Sequence, residues 1–138
     1  MIPDPTAAVV AYLLGRTDVA NLVGVRVYGV EIPGEEIVNM PQKLVAIKPT
    51  GGGVHRGYAH YSVGRFDVLS YGETPFEAQR VELVVRDALK NMPRATANHT
   101  VLEWASVEGG PLALRDPDAH WPFVLTVYNV MSSDVEVP

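Results

Sequence analysis

Four histidines and two closely spaced aspartates carry the most chemistry in this sequence. His55, His60, His99 and His120 could ligate a metal or move a proton, but none falls in H-E-x-x-H or a comparable ligand spacing. His55 and His60 are five apart on a strand-like stretch, which puts them on opposite faces. Surface or hydrogen-bonded histidines are the plain expectation. Asp116 and Asp118 could hold a cation, or work with a histidine as acid and base in an enzyme. Aspartates beside proline, as in Asp116-Pro117, more often build turns through Asx hydrogen bonds. Thr50-Gly51-Gly52-Gly53 invites comparison with a phosphate cradle, but there is no G-x-x-x-x-G-K-S/T or G-x-G-x-x-G, and no helix start follows to aim its N–H groups at an anion. None of Ser70, Ser106 and Ser132 lies in a G-x-S-x-G elbow. Arg65 and Asp67 share one strand face and read as a surface ion pair. Trp104 and Trp121 read as core or interface anchors. No set of groups converges, so the expectation is no catalytic residue, no cofactor and no metal.

The bulk numbers narrow the class. At 138 residues, with 47% hydrophobic and 20% charged residues, the chain can bury a core as one domain over residues 1–138. It has no cysteine, which excludes a disulfide scaffold, a thiolate metal site and a cysteine nucleophile. The net charge of −5 argues against a general DNA-binding protein. No apolar run approaches the roughly 20 residues that span a bilayer, and Met1-Ile2-Pro3-Asp4 lacks the basic start of a signal peptide. The expectation is a soluble protein made in the cytoplasm, with no membrane partner.

The elements are organised around Arg65–Met92. Arg65–Tyr71 reads as a strand and Gly72 ends it. Thr74-Pro75-Phe76-Glu77 then forms the strongest local signal: an N-cap, a proline at the first helical position and a capping-box glutamate. The helix that follows puts Val81, Val84, Val85, Ala88, Leu89 and Met92 on one face, and Glu77, Arg80, Glu82, Arg86, Asp87 and Lys90 on the solvated one. Asp4-Pro5 repeats the start signal and predicts a helix from Pro5 to about Leu14, ended by Gly15. A short turn at Val19–Val23 and strands at Val25–Val30 and Leu44–Lys48 follow. Val54–Ser62 should pair back toward Arg65. Ala95–Asn98 reads as a loop, His99–Val107 as a strand and Gly109-Gly110-Pro111 as a turn. Phe123–Met131, apolar on both faces, reads as an interior strand, and Ser132–Pro138 as a flexible tail. The result is an α+β fold: a mostly antiparallel sheet of about four or five strands with two helices packed on one face.

Glu31–Pro41 carries three glutamates and no helical period. It reads as a long exposed loop, of the kind that often binds. Val54–Ser62 is polar and aromatic, as suits an edge or a subunit contact.

The order of these stretches resembles the tail terminator, or tail completion, proteins of long-tailed bacteriophages and phage-like particles. The resemblance runs through PTAAVVAYLLGRTDV, VRVYGVEIP, PQKLVAIKP, FDVLSYGETPFEAQRVELVVRDAL and DAHWPFVLTVYNV. It is one of layout over nearly the whole chain, with no single diagnostic motif. It implies a structural virion protein at the head-proximal end of the tail, assembled in the host cytoplasm. There it forms a homohexameric ring that caps the tail tube, stops its polymerisation and joins it to the head-side connector or neck protein. DNA passes through such a ring without specific binding, and an acidic lumen would repel phosphates. On this reading Glu31, Glu35 and Glu36 lie at the lumen or on a docking loop, while Tyr58, Tyr61, Trp121 and Tyr128 anchor subunit contacts. The alternatives are another neck or tail component, such as a head-closure or tube subunit, or a small non-phage binding module.

Overall fold

The computed structural model describes residues 4–51, 54–55 and 61–134. Both proline-led helices form where their caps predict. In α1 (Pro5–Leu14) the Asp4 carboxylate accepts from the Ala7 amide at 3.1 Å. In α4 (Pro75–Lys90) the Thr74 hydroxyl accepts from the Glu77 amide at 3.2 Å. The Glu77 carboxylate reaches back one residue further than a capping box requires, accepting from the Glu73 amide at 3.1 Å.

Between and around these helices lie α2 (Thr17–Val23), β1 (Val27–Gly29), α3 (Gly34–Ile37), β2 (Leu44–Pro49), β3 (Val54–His55), β4 (Tyr61–Tyr71), β5 (Ala95–Ala97), β6 (Thr100–Arg115) and β7 (Pro122–Asp134). The sheet has seven strands rather than four or five. Its order is β1-β2-β4-β7-β6-β5, with β3 paired to β4. It is mixed, because β1 runs parallel to β2 while the other pairs are antiparallel. Val54–His55 pairs back on β4 as the Val54–Ser62 stretch was expected to, whereas the added strand β5 is three residues long, too short to show a period-2 pattern.

Three expectations change with this sheet. Ala95–Ala97 is strand β5 rather than loop. Gly109-Gly110-Pro111 is not a turn: β6 runs through it, with register shifts between Val107 and Gly109 and again between Gly109 and Leu112. These bulges absorb the extra residues while the strand keeps its pairing with β7. Ser132–Asp134 continue β7 instead of opening a tail, and Ser132 and Ser133 are buried.

The main core lies on the face of the sheet that carries the helices. Leu13 and Val9 of α1, Val19 and Val23 of α2, and Val81, Val85 and Leu89 of α4 close over Val45, Ile47, Phe66, Val68, Leu102, Tyr128 and Val130. Helix α1 meets both β1 and β5, so the sheet bends around it, and the Asp4 amide donates to the Thr100 hydroxyl at 2.9 Å. Close approach fixes the passage from β4 to α4. A Cβ at Gly72 would run into the Ala78 amide nitrogen and lie 2.8 Å from the Glu77 carbonyl carbon. Among the described residues no helix is long and apolar enough to cross a membrane.

Candidate subunit-contact surfaces

The second face of the sheet is only partly covered by the described residues. Leu44, Ala46 and Tyr71 form a small cluster there, overlaid by Tyr28, Ile32 and Met40 and flanked by Leu69, Trp121 and Phe123. Trp121 meets Tyr71 edge-on at 6.4 Å between ring centroids, and Tyr71 lies 5.3 Å from Phe123. The same row continues across β7 and β6 through the pairs Leu125–Leu112 and Phe123–Leu114, where Leu112 and Leu114 are exposed.

The segment that covers the cluster is the β1–β2 connection, residues 30–43. Within it Glu31–Pro41 reads from the sequence as a loop, and the structure places the one-turn helix α3 there. Ile32 and Met40 point inward. Val30, Ile37 and Val38 are exposed on its outer side, Val38 at 81%. Glu31 and Glu35 are exposed, and Glu36 is half-buried, accepting from Gln42 Nε2 at 2.6 Å. Val30 leaves the strand with φ 71, a left-handed value rare for a β-branched residue. Its amide donates to the Ile47 carbonyl at 2.8 Å, which holds the turn into the connection.

On the helix face a groove of about 590 Å³ runs between α4 and β6. Leu83, Arg86, Asp87 and Lys90 form one wall, and Ala105, Ser106 and Val107 the other. It exists because β5 pairs with β6 only over Thr100–Leu102, so that beyond Leu102 no described strand lies on β6's outer side. Behind the groove sits a polar group that the sequence pattern misassigns. Glu82 belongs to the polar stripe of α4, yet it is 2% exposed. Its carboxylate accepts from the Thr126 hydroxyl at 3.2 Å and pairs with Arg86 Nε at 3.2 Å. Thr126 sits among the apolar residues of β7, and this inward hydroxyl is the one sequence signal for a buried carboxylate opposite it.

The residues expected at subunit contacts separate. Tyr61 is 43% exposed near the start of β4 and Trp121 is half-buried against Tyr71. Tyr128 is 1% exposed in the main core, which removes it from the surface. Burial raises its phenol pKa above the ordinary 10.0, and the nearby Glu82 carboxylate adds to the rise. Tyr58 and His60 lie outside the described residues.

The chemistry-bearing pairs resolve into local structure. Asp116 Oδ1 accepts from the amides of Asp118 at 2.9 Å and Ala119 at 2.8 Å, closing the β6–β7 turn. These two bonds hold its pKa below the ordinary carboxylate value. His120 belongs to the same turn, donating its amide to the Asp116 carbonyl, and its carbonyl accepts from Arg115. Arg65 pairs with Glu108 at 3.3 Å rather than with Asp67. The first register shift of β6 divides Leu102, which is buried, from Trp104, which is 42% exposed. Among the described residues no group of three or more His, Asp or Glu is placed to hold a metal ion.

No protein-family model and no curated protein matches the chain. Solved structures do. A chain of the "Virion of native gene transfer agent (GTA) particle" superposes with a TM-score of 0.72 at 19% identity, covering 94% of each chain. The bacteriophage SPP1 gp17 protein gives a TM-score of 0.48 at 20% identity, covering 91% of this chain and 84% of that one. Across nearly its whole length the chain therefore has the fold of a protein found in a gene transfer agent virion.

Proposed function

We propose that this protein is a structural subunit of a phage-like particle, a tail terminator whose copies form a ring on the end of the tail tube. The fold shared with a virion chain over 94% of both lengths carries this reading. The open flank of β6 and the exposed row through Leu112 and Leu114 supply what an assembling subunit needs: surface that the described residues leave uncovered. Copies meeting through two different surfaces close into a ring when the rotation between them is right. The partners on this reading are further copies of the chain, about six to a ring, the tube beneath and the head-side connector above. The reading is a structural one, and the likeness to a virion chain is its support.

Tyr61 and Trp121 remain available to a neighbouring copy. Glu31, Glu35 and Glu36 are assigned to a lumen or a docking face, and these two places respond differently to neutralisation. At a lumen, the triple glutamine variant keeps its rings and loses DNA passage. On a face that docks another copy, it loses ring stability.

The test is the solution mass of the purified protein, with electron micrographs of the same sample. Rings of about six times the 15.0 kDa chain are expected. Long cylinders would move the assignment to a tube subunit, the nearest alternative because the virion likeness fits any neck or tail component. A monomer that neither assembles nor binds the ends of tail tubes would overturn the reading.

A further inference from the structure

Beyond Leu102, β6 has β7 as its one strand neighbour among the described residues. From Ser106 to Arg115 every residue except Gly109 is exposed. A buried face normally fixes register, and a strand that buries little and carries glycines is prone to slip. Against β7, β6 also holds one extra residue at each of three register shifts: at Glu103, at Glu108 and between Gly109 and Leu112. Each extra residue breaks the ladder locally, so something besides burial must keep it where it is.

Three groups stand at these places. The Glu103 carboxylate accepts from Arg94 Nε at 2.7 and 3.1 Å and from the Ser133 hydroxyl at 3.1 Å. Arg94 leads into β5 and Ser133 lies in β7, so Glu103 is held from both sides of its own strand. Its side chain is 15% exposed, which shields these charge-assisted bonds from solvent. Gly110 has φ +84, and a Cβ there would lie 2.6 Å from the Leu125 carbonyl oxygen, so the chain takes this path only at a glycine. Glu108 reaches Arg65 at 3.3 Å, but both side chains are open to solvent and the pair holds its shift weakly.

We infer that Glu103 and Gly110 are register-setting residues: without touching a partner, they decide which side chains this open strand presents to one. The inference rests on the reading of β6 as assembly surface. Trp104 pairs with Met131, Leu112 with Leu125 and Leu114 with Phe123, so the three share the face of the Tyr71 cluster. A slip of one residue after Glu103 turns Trp104 to the helix face and Ala105 outward. The same slip after Gly110 turns Leu112 and Leu114 inward and Ala113 outward. The apolar row that a partner meets is then replaced by alanines.

Cysteine pairs read the register directly, because the chain has none of its own. Ser106→Cys with Asn129→Cys joins residues that face each other in the native register, and Ala105→Cys with Asn129→Cys joins residues that do so only after a slip. Under mild oxidation of the full-length chain the first pair should bridge and the second should not. Glu103→Ala should raise the slipped bridge about tenfold, the scale of losing a charge-assisted bond. Arg94→Ala should do the same, and at 67% exposure its loss spares the core. The swap of Glu103→Arg with Arg94→Glu should return the slipped bridge toward its wild-type level, and Glu108→Gln should change it little. Gly110→Ala should reduce bridging between Ala113→Cys and Val124→Cys, which are opposite in the native register. In sedimentation of the cysteine-free chains, Glu103→Ala and Gly110→Ala should lose assembly and the charge swap should regain it.

A lower melting temperature with no slipped bridge would make Glu103 a stabilising contact only and overturn the inference. A slipped strand that still assembles would overturn it as well, and would leave the ring reading standing. If the wild type forms no ring, the ring reading falls, while the bridges in the monomer still uphold or overturn the register role.

Discussion

Tyr128 is the clearest case of a residue whose neighbours decide its role. Its ring fills the space between β7 and α4, and its hydroxyl is buried with no hydrogen-bond partner among the described residues. An unpaired buried hydroxyl carries a desolvation penalty of about 1–3 kcal/mol. Tyr128→Phe is therefore expected to leave stability unchanged or raise it by up to about 1 kcal/mol in urea unfolding, and to leave assembly unaltered. A loss of oligomer in that variant would return Tyr128 to the interface. The same burial makes the fold sensitive to alkali. The folded phenol stays neutral above 10.0 while the unfolded one ionises there, so the contribution of Tyr128 is complete below pH 10 and falls as pH rises beyond it. Alkaline melts of the Phe variant should show a shallower decline.

Among the elements, α4 and its entry have distinct failure points. Thr74→Ala removes one capping acceptor and is expected to cost about 1 kcal/mol. Gly72→Ala is expected to cost more, because the new methyl meets the backbone of the first turn of α4 and not a flexible side chain. Comparing the two in urea unfolding checks the ranking; equal losses would show that the β4–α4 passage yields easily. The β6–β7 hairpin depends on Asp116 in the same way. Its two backbone bonds lower the carboxyl pKa, so the stability they add is present at neutral pH and is lost as pH falls through that lowered value. Asp116→Asn should weaken the acid dependence of the hairpin while sparing α4.

For the molecule as a whole, amide hydrogen exchange should map the unsatisfied flank. β7 lies between β4 and β6 along its length and should exchange slowest. Outward amides of β6 beyond Leu102 should exchange fast in the monomer and slow on assembly. Unchanged exchange there in an assembled sample would place the contact elsewhere.

Local chemistry already present in the sequence determined the two proline-capped helices, the strand before α4, the interior strand at Phe123–Met131 and the α+β class. Caps act within four residues and a strand's apolar pattern within seven, so these signals survive without tertiary context. The resemblance in layout also pointed to a virion protein, and the fold is that of a chain found in a gene transfer agent virion. What the sequence could not determine depended on distant neighbours. The parallel β1–β2 pair, the short strand β5 and the passage of β6 through Gly109-Gly110-Pro111 exist because a partner strand offers hydrogen bonds there. Glu82 lies on the polar stripe of α4 by period, and only the Thr126 hydroxyl and Arg86 make its burial tolerable. The α4–β6 groove is the same kind of feature: it arises where β5 stops pairing with β6, and no residue within it announces that.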